Sequence, residues 1–410
     1  MKIFVPTLAI LCLGSLITVP AATAQFGWHI PHKPTTTPNE QRIYVYEVGD
    51  HGPNTAAFSL IDCSATGVSG PDKLGNCYVM TDTTGHFEIS GLYHAHCSSD
   101  SSMVVLMGTE GDLTGGWKKG ERGAFGWFGY LLGLYGLDPA SDSSASTQTV
   151  FTNISLMPVT CGTLPTVSSV EISDRTTVAA AFALAPFANR TALPADGFST
   201  KSNSLPALSS AFAAANALVS GLTGEFVVTD PATQEKINTI ADVIENCVNS
   251  VNGTDTNDSR SNSEACNTLL KDASTTTTTP ADTYQAILSM VQNPTNNVST
   301  LFGLLASKPK WLPALSTQPS SWALSIPGAP TITAISTPAA LVGDTLTITG
   351  TNLVNGSDTP VVVVGGVQAT VVGTPTNGSI TVKVPVHAIS GLVGVYPGTY
   401  ASNFVPFKIN

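Results

Sequence analysis

Charge is what this sequence has least of. Its 410 residues carry 17 Lys and Arg against 28 Asp and Glu, so that 11% are charged and the formal net charge is −11. A chain so poor in basic residues lacks the positive patches that nucleic acids and anionic membranes require. The same scarcity, beside 42% hydrophobic residues, excludes a disordered acidic protein. No CxxC pair is present, so zinc-ribbon and thioredoxin-like chemistry has no sequence basis. There is also no H-E-x-x-H, no G-x-S-x-G, no phosphate-binding P-loop and no dinucleotide fingerprint. Beyond residue 24 no apolar run reaches the ~20 residues of a membrane-spanning helix. The nearest, Ala124 to Leu137, is broken by Gly126, Gly129, Gly133 and Gly136.

What is present begins with an export signal over residues 1–24. Lys2 supplies the positive start, Ile3 to Val19 the apolar stretch, and Ala22-Thr23-Ala24 a small-residue cleavage site, predicting Gln25 as the mature N-terminus. Six cysteines then remain: Cys63, Cys77, Cys97, Cys161, Cys247 and Cys266. An even number in an exported chain points to disulfides. Cys247 with Cys266 ties the end of one expected helix to the start of the next across a polar loop. Cys63 with Cys77 closes a Gly/Pro-rich loop, and Cys97 with Cys161 follows by elimination. The expected address is the periplasm, the cell surface or the medium.

The chain is organised around an alanine-rich block from about Thr176 to Leu324. Ile237, Ile240, Ala241, Ile244, Cys247, Val248 and Val251 recur at the spacing of one helical face. Glu235, Lys236, Asn238, Asp242, Glu245 and Asn249 take the opposite face. Asp230 is placed to cap this helix, with Pro231 in its first turn. Similar stripes run through Val178 to Phe187, Leu208 to Val219, Ser263 to Asp272, Tyr284 to Val291 and Val298 to Leu305. These predict a helical domain over residues 161–326.

Strands flank the block. Residues 25–41 read as a Pro/Thr linker. Ile43 to Val48, Tyr78 to Thr81, His86 to Ile89, Val104 to Met107 and Phe151 to Leu156 are β-branched or aromatic runs between turn signals, which predict a β-sandwich over residues 42–160. Within it lies a Gly/aromatic insertion, AFGWFGYLLGLYGL, whose Trp127, Phe128 and Tyr130 are a candidate binding patch. The run TDTTGHFEISGL resembles carboxypeptidase-regulatory-like and transthyretin-like domains, which implies a structural or accessory sandwich. The runs TTVAAAFALAPFA, INTIADVIENCVNS, PADTYQAILSMVQNPTNNVSTLFGL and SSWALSI resemble a region of exported bacterial proteins without an established activity. Residues 329–410 form a separate all-β unit. Its Pro330-Thr331-Ile332, VGDTLTITGTNL, VVVVGGVQATVV and SITVKVP resemble an IPT/TIG domain, which implies an immunoglobulin-like interaction or spacer module. The fold class expected is therefore multidomain α+β.

Candidate chemistry is sparse. Asp255, Asn257 and Asp258 resemble a calcium loop, but Arg260 stands at the obligatory glycine and Cys266 at the bidentate glutamate. His94 and His96 would share a strand face, with His86 as a conceivable third ligand. Two histidines do not complete a metal site. Asp82 beside His86 reads as a turn aspartate rather than an acid/base pair. The sequence thus predicts an exported, non-enzymatic envelope protein with no metal, cofactor or catalytic residues, whose partner is a protein or polysaccharide of the cell envelope. The alternative is a carbohydrate-active enzyme or carbohydrate-binding protein. It calls for two carboxylates facing one another across an aromatic-lined cleft.

Overall fold

The computed structural model describes residues 25–27, 41–48, 58–71, 76–82, 85–89, 97, 99–110, 151–187, 205–249, 264–275, 279–280, 282–305 and 309–410. In the first part of the chain β1 (Gln25–Gly27) pairs with β5 (His86–Glu88) as a two-stranded ribbon. A five-stranded antiparallel sheet is built on β2 (Arg42–Val48). Along one edge of β2 lie β3 (Phe58–Ser59), opposite its C-terminal half, and β4 (Val79–Met80), opposite its start. Its other edge pairs with β6 (Met103–Glu110), which pairs in turn with β7 (Phe151–Thr160). The β-branched and aromatic residues of β2 are buried on both faces: Ile43 and Val45 on one, Tyr44 and Tyr46 on the other. The two tyrosine rings stack at 5.9 Å, and the Arg42 guanidinium lies over Tyr78.

Helices cover this sheet through β7. They are α1 (Asp174–Leu184), α2 (Leu205–Leu218), α3 (Pro231–Asn249), α4 (Glu264–Asp272), α5 (Thr283–Gln292) and α6 (Val298–Phe302). α1, α2 and α5 all rest on β7, and α1 also packs against α2, α3 and α5. The alanines of α1 permit this: Ala179, Ala180, Ala181 and Ala183 are all buried, so neighbours approach from every side. α1 starts at Asp174, a turn earlier than its apolar stripe. Ser173 caps it, accepting from Thr176 N–H while the Thr176 hydroxyl accepts from Ser173 N–H. Strands and helices share one continuous core. The sheet and the helical block are thus joined as layers at β7.

The C-terminal unit has its own core, with Leu346, Ile348, Val362, Val364, Ile380, Val382, Val393 and Val395 at its centre. Its strands are β8 (Thr331–Ile335), β9 (Ala339–Ala340), β10 (Thr345–Thr351), β11 (Val361–Val364), β12 (Val367–Val371), β13 (Ser379–Lys383), β14 (Gly391–Tyr396) and β15 (Val405–Ile409). They follow the order β8-β10-β13-β12-β11-β14-β15-β9, antiparallel except for the β15–β9 pair. β11 and β12 are joined by Gly365-Gly366, both at positive φ (53° and 85°), as a tight two-residue hairpin turn requires. A side chain at Gly365 would also meet the Ile389 carbonyl oxygen at 1.9 Å.

Candidate functional site

The polar face of α3 is covered by the protein itself. Asn238, Asp242 and Glu245 are 0%, 2% and 8% exposed, although they lie opposite the apolar stripe. The cover is residues 309–324, an extended strap without helix or strand. A strap of that kind leaves its backbone N–H and C=O groups needing partners, and α3 supplies them. Asp242 Oδ1 accepts from the N–H of Lys310 (2.9 Å) and of Trp311 (2.8 Å). Asn238 Nδ2 donates to the Pro313 carbonyl, and the Thr239 hydroxyl accepts from Leu315 N–H. Lys236 Nζ donates to the carbonyls of Ser321 and Ala323. Trp322, fully buried, anchors the far end, its backbone N–H donating to the Pro294 carbonyl.

Side chains of the strap close a second layer over α1. Lys310 Nζ lies 3.1 Å from Glu245 Oε2 and 3.7 Å from Asp174 Oδ2. Trp311 Nε1 donates to Asp174 Oδ2 at 3.0 Å, while Asn153 Nδ2 of β7 donates to Asp174 Oδ1 at 3.2 Å. Arg175 donates to Asn238 Oδ1, and its guanidinium is sandwiched between the rings of Phe226 (4.6 Å) and Trp311 (4.2 Å). Burial pushes the Asp242 carboxyl up to about 6, and the Asp174 charge adds to the rise. The two backbone N–H donors and Lys310 oppose it without cancelling it. Burial also lowers the Arg175 and Lys236 values.

A second buried seam joins β7 to α5. The Thr283 hydroxyl donates to the Thr152 carbonyl and accepts from Thr152 N–H. Asp282 caps α5, with Oδ1 accepting from Gln285 N–H and Oδ2 from Gln285 Nε2. Burial raises its carboxyl to about 7.

Three carboxylates therefore converge beside a tryptophan, but they converge on protein donors. Both oxygens of Asp174 are engaged, Glu245 holds Lys310, and the strap fills the space in front of them. The arrangement fastens one segment of chain to two helices. Among the described residues no group of three or more His, Cys, Asp or Glu is placed to hold a metal ion.

The disulfides join Cys63 to Cys77, Cys97 to Cys161 and Cys247 to Cys266, with Cα separations of 5.3, 6.0 and 4.3 Å. The Cys97–Cys161 bridge ties the end of β7 to the segment before β6. Asp82 accepts from the backbone N–H of His86 through Oδ1, and its own N–H donates to the His86 carbonyl. The pair thus forms a half-exposed turn, with His86 Nδ1 4.0 Å from the carboxylate. Trp127, Phe128, Tyr130, His94, His96, Asp255, Asn257 and Asp258 lie outside the described residues. The buried cluster left one trace in the sequence: Trp311 and Trp322 are large aromatic anchors in a proline-rich stretch with no period of its own.

By fold, the chain is a multidomain α+β protein with a C-terminal immunoglobulin-like sandwich. Residues 330–398 match the family model for the IPT/TIG domain. No curated protein matches the chain. Among solved structures, an auxiliary nutrient binding protein from Bacteroides thetaiotaomicron is 22% identical, with 20% of this chain and 21% of that one covered and a TM-score of 0.18. A gamma-CGTase from Alkalophilic bacillus clarkii is 21% identical, with 27% of this chain and 18% of that one covered and a TM-score of 0.18. The chain thus spans about a fifth of these structures, and likenesses so slight carry no functional argument. No helix among the described residues is long and apolar enough to cross a membrane.

Proposed function

We propose that this is an exported, non-enzymatic protein of the bacterial cell envelope or its surroundings, which presents a rigidly mounted immunoglobulin-like module to a protein or polysaccharide. The observation that carries this reading is the mounting itself. Along β14 the residues alternate strictly: Val393 and Val395 point into the sandwich core, while Leu392 and Tyr396 join the core of the helical body. Val363 of β11 does the same, and the Tyr396 hydroxyl donates to the Ala183 carbonyl at the end of α1 (2.8 Å). A passive spacer has no need of such docking, whereas a module that must present a surface in fixed orientation does. Three disulfides support export.

In this reading the N-terminal strands are a carboxypeptidase-regulatory-like sandwich serving as accessory scaffold. Glu110 and Phe151, which flank the Gly/aromatic segment in sequence, are directly paired. That segment's Trp127, Phe128 and Tyr130 are the residues assigned to ligand contact. The test is a binding screen of residues 25–410 against cell-wall fractions and a polysaccharide panel. Saturable binding lost in the Trp127→Ala/Phe128→Ala/Tyr130→Ala variant, with circular dichroism unchanged, supports the assignment. Binding retained in that variant moves the contact to the immunoglobulin-like unit. Turnover of a polysaccharide by the wild-type chain would replace the reading with the carbohydrate-active one.

A further inference from the structure

Among the described residues, the strap covers more acid than base in a largely buried place. Asp174, Asp242 and Glu245 are 1%, 2% and 8% exposed, and Lys310 is the cation lodged among them. Arg175 on α1 is the second positive group near Asp242. It is shared with Glu225, an exposed residue of the loop before α3. Among the described residues, three carboxylates face two cations there. Asp242 is where the imbalance falls. Its Oδ1 carries both backbone N–H bonds from the strap, while its Oδ2 is buried with no hydrogen-bond partner among the described residues. An ionised oxygen in that position is costly, and protonation removes the cost.

We propose that residues 309–324 form a proton-dependent latch, in which uptake of one proton by Asp242, whose Oδ1 holds two strap N–H groups and whose Oδ2 is buried without a partner among the described residues, tightens the strap onto α1 and α3, and loss of it loosens the strap. The sign follows from Asp242. Its folded value, about 6, lies above the ordinary 3.8. The stabilisation is therefore complete in acid and is lost as the pH rises through about 6. The ionised form is the better acceptor for the two strap N–H groups, but burial outweighs that gain. The consequence reaches beyond the cluster, because the strap is the covalent lead into β8. Loosening it lengthens the tether of the C-terminal unit and leaves the Tyr396 face as its mounting. A chain outside the cytoplasm meets the pH of its surroundings directly, so a latch working near pH 6 would respond to them.

The test is hydrogen exchange by mass spectrometry on residues 25–410 at pH 5 and pH 8, corrected for intrinsic exchange, comparing wild type with Asp242→Asn. Asparagine keeps the Oδ1 acceptor and removes the titration. In wild type, protection of peptides covering Lys310 to Leu315 should fall on the order of tenfold from pH 5 to pH 8. In the variant it should be equal at both. Peptides from β10 and β13 should not change. Equal protection in wild type at the two pH values, or the same fall in the variant, overturns the latch. So does an equal loss in the C-terminal sheet, which would make the effect global. Should Asp242→Asn not fold, Lys310→Met serves instead. Removing the counter-charge must move the wild-type midpoint to higher pH, and an unmoved midpoint also refutes the proposal.

Discussion

Asp282 shows how a single buried side chain contributes to the pH response of this molecule. It caps α5 from inside the protein, and burial lifts its carboxyl from 3.8 to about 7 even though it accepts N–H bonds from Gln285. A raised acid value means that the folded state holds a proton that the unfolded state has released. Its stabilisation is present below about pH 4 and is lost as the pH climbs through about 7. Asparagine is an equally good cap. Its oxygen keeps the Gln285 N–H, and the Gln285 amide can turn to accept from its nitrogen. Asp282→Asn should therefore raise the melting temperature at pH 8 and leave it unchanged at pH 4. The full shift corresponds to roughly 4 kcal/mol, an upper bound because the site can relax. Thermal denaturation at the two pH values checks this, and a variant less stable at pH 8 than wild type would refute it.

At the scale of elements, α3 shows what periodicity reveals and what it hides. Ile237, Ile240, Ala241, Ile244 and Cys247 repeat every three or four residues, and all are buried as that spacing requires. Asp230 also caps as its position suggests, Oδ2 accepting from Thr233 N–H at 2.9 Å. The burial of Asn238, Asp242 and Glu245 was not legible, because a polar stripe looks the same whether water or a strap covers it. What decides is the irregular segment 309–324, whose backbone groups need partners although its own sequence has no period to announce them. The same limit applies to β3 and β4. The strand character of β4 is readable in Tyr78 to Thr81, that of β3 is not, and their sharing of one edge of β2 depends on loops.

The C-terminal unit is more legible because its family pattern covers most of it, yet a local device there escapes the pattern. Asn403 turns its amide onto the backbone of β8, accepting from Ile332 N–H (2.7 Å) and donating to the Ile332 carbonyl (3.0 Å). It closes that part of the β8 edge as a neighbouring strand would. Asn403→Ala removes both bonds and should cost about 1–3 kcal/mol, read as a lower urea midpoint. It should also increase self-association by size-exclusion chromatography. A monomer with unchanged midpoint would show the amide to be dispensable.

Over the whole molecule, the decisive feature is that one face of the immunoglobulin-like sandwich is used up inside the protein. β14 presents Leu392 and Tyr396 to the helices, and between them Gly394 lies close to the body. A Cβ there would stand 3.0 Å from Pro186 Cγ and 3.0 Å from the Phe404 ring. Glycine at this position lets the two units approach, and any branched side chain would push them apart. The change would leave the sandwich core intact, since Val393 and Val395 point the other way. Gly394→Val therefore separates docking from folding. Coupled units share a single unfolding transition, and uncoupled ones unfold separately. Calorimetry of the wild-type chain should show one transition and Gly394→Val two, with the radius of gyration from solution scattering increased in the variant. If both chains instead unfold in two steps at the same temperatures, the docked face contributes nothing to coupling. The module would then hang from the strap alone, and fixed presentation would lose its basis.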